Sequence, residues 1–91
     1  MSKAVYYQIY LVPKNGVSKE LVDAKINLAL DWFRYDNSMW IVYSTADIRT
    51  WKARFKSLVE PTGRLFICEI KPENRSGWMN KRFWEWFRKR N

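Results

Sequence analysis

The chain has 91 residues and a mass of 11.1 kDa, enough for one domain that buries roughly 60–65% of the surface its unfolded form exposes, and too little for two cores. Its hydrophobic fraction is 47%, with six Trp, five Tyr and five Phe against three Gly and three Pro, which excludes a disordered or low-complexity chain. Seventeen Lys and Arg against nine acidic residues give a formal charge of +8, so a polyanion is the expected partner, RNA or DNA first and an acidic protein surface second.

Val5 to Val12 reads as a strand, dominated by β-branched and aromatic residues that alternate between two faces. Pro13-Lys14-Asn15-Gly16 is a turn, and Ser18 offers an N-cap hydroxyl to a first helix. Val22, Ile26 and Ala29, flanked by Leu21 and Leu28, share a face of that helix, which is expected to run from about Lys19 to Leu30. Trp32 to Tyr35 and Met39 to Tyr43 are strand-like runs joined by Asp36-Asn37-Ser38, a hairpin signal. Ser44 or Thr45 is the expected cap of a second helix, with Asp47 in its first turn. Ile48, Trp51, Phe55, Leu58 and Val59 recur along it at spacings of three and four until Glu60. Leu65 to Ile70 is a nearly continuous apolar strand, a pattern that predicts a central or well-covered position.

The order strand, helix, strand, strand, helix, strand predicts an α+β fold of the ferredoxin-like βαββαβ type, with both helices on one face of a four-stranded antiparallel sheet. Residues 71–91 are then a basic, aromatic C-terminal extension of this single domain. Asn80 is the expected N-cap of a last helix from about Lys81 to Lys89.

That extension is the most unusual part of the chain. Residues 71–91 carry five of the sixteen aromatics, and seven basic against two acidic residues. Phe83, Trp84 and Phe87 form one helical stripe, and Trp86 is expected to point away from it. Trp78, Phe83, Trp84 and Phe87 are assigned to packing on the open sheet face or on a second subunit. Trp86, with Arg75, Lys81, Arg82, Arg88, Lys89 and Arg90, is assigned to binding nucleic acid or a partner, rings stacking on bases and cations tracking phosphates. A second basic group, Arg49, Lys52 and Lys56, lies on the polar side of the second helix, with Arg54 turned away from it.

Catalytic constellations are lacking. The chain has no His, which removes the usual general base near neutral pH and the Ser/His/Asp and Cys/His arrangements. It has no Gly-rich phosphate loop, and its single cysteine permits neither an internal disulfide nor a paired-Cys zinc site. Asp31, Asp36 and Asp47 stand at predicted element ends, but their spacing fits no metal-ligand motif. No catalytic residue, metal ligand or cofactor is assigned, and Cys68 is expected as an inert buried thiol. Met1-Ser2-Lys3-Ala4 leads straight into an alternating segment, and no apolar run reaches the length of a signal or a membrane span, so a cytoplasmic protein is expected.

The succession Asp31-Trp32-Phe33-Arg34-Tyr35, Ser38-Met39-Trp40-Ile41-Val42, Arg64-Leu65-Phe66-Ile67, Gly77-Trp78 and Trp84-Glu85-Trp86 resembles small bacterial proteins known as SinR-like. These look like relatives of the second CRISPR-associated protein and of VapD-type toxins. The resemblance implies a homodimer of ferredoxin-like domains with roles in nucleic-acid binding or metal-dependent nuclease chemistry. In those nucleases the first strand ends in Tyr-Asp, whose carboxylate holds the metal; here Tyr10-Leu11-Val12 is followed by Pro13. The leading expectation is therefore a non-enzymatic, dimeric nucleic-acid-associated protein. The alternatives are an inhibitor or immunity-type protein-binding module of a phage or toxin system, and a metal-dependent ribonuclease.

Overall fold

The structure, a computed structural model, describes residues 3–90; Met1 and Ser2, at the start of the chain, lie outside them. Its elements follow the expected order: β1 (Val5–Val12), α1 (Lys19–Ile26), β2 (Asp31–Asp36), β3 (Met39–Ser44), α2 (Ile48–Val59), β4 (Arg64–Ile70) and α3 (Lys81–Arg88). The four strands form one antiparallel sheet in the order β2-β3-β1-β4.

Alternation along the strands separates two faces. Tyr7, Ile9 and Leu11 of β1 and Trp40 and Val42 of β3 turn to α1 and α2. There they form the main core with Val22, Ile26, Trp51, Phe55, Leu58 and Val59. Trp51 and Phe55 are fully buried and stacked at 5.6 Å. Ser44, the one buried polar residue of the described chain, accepts a hydrogen bond from the Trp51 indole N–H at 3.0 Å and one from the Ala46 N–H at 3.1 Å. This corrects the expected cap: Ser44 ends β3, and α2 is capped by Asp47, whose carboxylate accepts from the Thr50 N–H at 2.8 Å.

Helix α1 ends four residues before the expected Leu30. The N–H groups of Leu28 and Ala29 close short turns onto Lys25 and Ile26, and the Leu30 N–H already bonds the Tyr43 carbonyl at 2.9 Å. The hairpin partner captures the chain before another helical turn can form, and leaves Leu28 and Leu30 exposed.

Two glycines serve the connections. Gly16 closes the turn after β1 with φ 88°. Gly63 lets the chain enter β4 against the end of α2, where a Cβ would lie 2.5 Å from the Val12 carbonyl oxygen and 2.9 Å from Val59 backbone atoms.

The second sheet face is closed by the chain's own tail. Trp86 and Phe87 are buried with Ile41, packed by Tyr6, Phe33, Tyr35, Tyr43, Ile70 and Phe83. Phe83 meets Phe33 and Tyr35 edge-on at 5.7 Å, and Trp86 meets Tyr6 at 5.7 Å. Trp86 is thus 5% exposed, which corrects its expected outward direction: with α3 lying along β2 and β3, the seam between helix and sheet takes both neighbours Trp86 and Phe87. Trp78, expected to pack, is wholly exposed.

This closure covers only part of the face. β4 is an edge strand, not a central one. Its Leu65 and Ile67 pack toward the main core, while Arg64, Phe66 and Cys68 point the other way and are exposed. A run of apolar letters does not distinguish one covered face from two, and the Cys68 thiol is accordingly open to solvent instead of buried.

Candidate polyanion-binding groove

Helix α2 is amphipathic: with Trp51, Phe55, Leu58 and Val59 buried, the positions between them must face out. Arg49, Lys52 and Lys56 are therefore brought along one exposed wall, three and four residues apart, which spaces them by roughly 4.5–6 Å along the helix axis. The wall borders a groove of about 770 Å³ between α2 and the β4 edge, lined by the apolar Ile48, Ala53, Val59, Leu65 and Ile67 and by the acidic Glu60. Among the described residues none of the three cations stands within ion-pair distance of an acid. Arg54, by contrast, lies over the Trp51 ring at 4.7 Å. The sequence marks the cations; it misses the floor, whose signal is the alternation Leu65-Phe66-Ile67 in β4.

The tail cations are placed differently. Arg90 donates to the Asp31 carboxylate at 2.6 Å and lies over Tyr43 at 4.3 Å and Trp86 at 5.4 Å; Lys89 reaches the same carboxylate at 3.5 Å. Arg75 donates to the Pro72 carbonyl at 3.0 Å and lies over Phe87. Lys81 pairs with Glu85 at 3.7 Å on the surface, a contact of small energetic weight. Arg82 and Arg88 stand exposed. Of the cations expected to form one electropositive clamp, Lys89 and Arg90 thus tie the tail to Asp31 of the sheet, and Arg75 is engaged within the tail, on Pro72 and Phe87.

The carboxylates do not converge. Asp31 and Asp36 occupy opposite ends of β2, Asp36 accepts from the Asn37 N–H, and Asp47 caps α2. Among the described residues no three metal-ligating side chains gather, and no described helix is long and apolar enough to cross a membrane.

Asp31 is held below the usual carboxylate range: partial burial raises its pKa, but the Arg90 guanidinium, the Trp32 N–H and the Lys89 charge outweigh it. A carboxyl whose folded pKa is depressed stabilises the fold above its unfolded pKa of about 3.9, and that contribution disappears as pH falls through the folded value. The stability of Asp31→Asn should therefore trail the natural protein by about 1–2 kcal/mol at neutral pH, the two converging as pH falls through the depressed folded value. Urea unfolding across that range measures it; a gap independent of pH would show that the charge is not what holds the tail.

No family model, curated protein or solved structure matches the chain.

Proposed function

We propose that the protein is a non-enzymatic nucleic-acid-binding module that holds a phosphate backbone along the α2 wall of the groove. The observation that carries this reading is the alignment of Arg49, Lys52 and Lys56, none of them in an ion pair among the described residues and together outnumbering Glu60 in the groove, beside an open strand edge in a chain of charge +8. Three cations at helical spacing can follow successive phosphates, and the exposed Arg82, Arg88 and Trp78 extend the same preference. The strand order β2-β3-β1-β4 supports the ferredoxin-like reading of the domain.

Dimerisation belongs to the same proposal. The outer edge of β2 lies across the sheet from the groove, beside exposed Leu28, Leu30 and Trp32, so a second copy could pair there without covering the cations. A solution mass near twice 11.1 kDa is the expected result; a monomer at all working concentrations removes this part.

The apolar floor favours a second reading, in which an acidic, apolar peptide adds to the β4 edge with its carboxylates on the α2 wall. Anisotropy titrations of labelled RNA and DNA at several salt concentrations separate the two. Affinity that falls steeply with salt and exceeds that of an unrelated protein of equal charge supports nucleic acid. Affinity no better than that control, with a protein partner retained after nuclease treatment, supports the peptide reading instead.

A further inference from the structure

We infer that the uncovered part of the second sheet face is a base-stacking platform for single-stranded nucleic acid, built on Tyr10 of β1 and Phe66 of β4 and anchored by Arg64. The two rings are directly opposed in the β1–β4 register, and both side chains leave the sheet on the face away from α1 and α2. Phe66 is 59% exposed although it sits in the middle of a strand. On the β2–β3 part of the same face the rings of α3 cover their equivalents, so Phe66 is an aromatic left open on the part of the face that α3 does not reach. A lone exposed apolar ring is ordinary; one paired across strands with a second ring and bordered by a cation is the arrangement on which an unpaired base stacks.

Arg64 supplies the charge. Its Nε and Nη2 both donate to the Tyr10 hydroxyl at 3.3 Å, which fixes the guanidinium at the ring edge while the side chain remains exposed. Next along the ladder Gln8 faces Cys68. Its amide can donate to and accept from the edge of a base held over Phe66.

The location ties this platform to the groove, on whose reading the inference rests. Successive residues of β4 serve the two sides of one edge: Leu65 and Ile67 line the groove, Arg64 and Phe66 the platform. Charge decides the occupant. Arg64 on one side and Arg49, Lys52 and Lys56 on the other outnumber Glu60 of the groove and Glu69 of β4, which leaves the edge net basic and suits a polyanion whose phosphates follow the wall and whose bases turn onto the rings.

The test uses 5′-labelled dT12, rU12 and a 12-base-pair duplex as probes in anisotropy, with N-ethylmaleimide labelling of Cys68, the chain's single and exposed cysteine, read by mass spectrometry. Phe66→Ala is expected to weaken single-strand binding roughly ten- to a hundredfold with the salt slope and the duplex affinity unchanged. Phe66→Tyr should restore it, and saturating dT12 should slow Cys68 labelling. Single-strand affinity unaltered in a folded Phe66→Ala protein overturns the platform while leaving the groove reading intact. Absence of binding by the natural protein overturns both. A fall in solution mass in Phe66→Ala, with oligonucleotide affinity unchanged, assigns the face to a second copy and likewise overturns the platform.

Discussion

Replacing Trp86 with alanine is expected to lower stability by about 3–5 kcal/mol, the usual cost of emptying a buried Trp site, against a total of about 5–14 kcal/mol for a domain of this size. The ring is 5% exposed, touches Tyr6, Phe33 and Phe87, and lies beneath the Arg90 guanidinium. Its loss opens a void at the seam between α3 and the sheet and loosens the pair between Arg90 and Asp31 at once. Trp78→Ala is the control: that ring is wholly exposed, and a change within about 0.5 kcal/mol is expected. Urea midpoints followed by circular dichroism compare the two. A Trp86→Ala protein as stable as the natural one would mean that the tail does not fold with the domain.

The second large effect concerns binding. The triple variant Arg49→Ala, Lys52→Ala, Lys56→Ala removes three cations from an exposed helix face without touching the buried positions of α2, and alanine is the better helix former. If the three contact phosphates, the slope of log affinity against log salt should fall by about 2, and affinity near 0.1 M salt by about a hundredfold, whatever the base sequence. Arg82→Ala with Arg88→Ala, also exposed but away from the groove, should alter the slope less. An unchanged slope in the triple variant would move the phosphate contacts off α2.

The fold was legible because its signals are local. Alternation in β1, the three-and-four spacing of Ile48, Trp51, Phe55 and Val59, and the Asn80 cap each depend on neighbours within a few residues. What failed to show depends on pairing between distant segments. The end of α1 was set by Tyr43, which takes the Leu30 N–H. The place of β4 at an edge is set by its pairing with β1, and the exposure of Phe66 and Cys68 by where α3 lies. The site divides the same way. Arg49, Lys52 and Lys56 read directly from helical spacing. Arg75, Lys89 and Arg90 looked like equivalent cations, and only the folded tail reveals that their partners are Phe87 and Asp31.

The two clusters that sandwich the sheet are unequal: eleven buried residues join α1 and α2 to it, and three join α3. Cooperative units of a domain open at different free energies, and the smaller seam is the first to give way. Amide hydrogens of Phe83 to Arg88 should then exchange ahead of those in β1 and β3, through a state in which the sheet persists without its tail. In that state Tyr6, Phe33, Tyr35 and Tyr43 join Tyr10 and Phe66 on one continuous aromatic surface, so partial opening enlarges the very face on which the bases are proposed to stack.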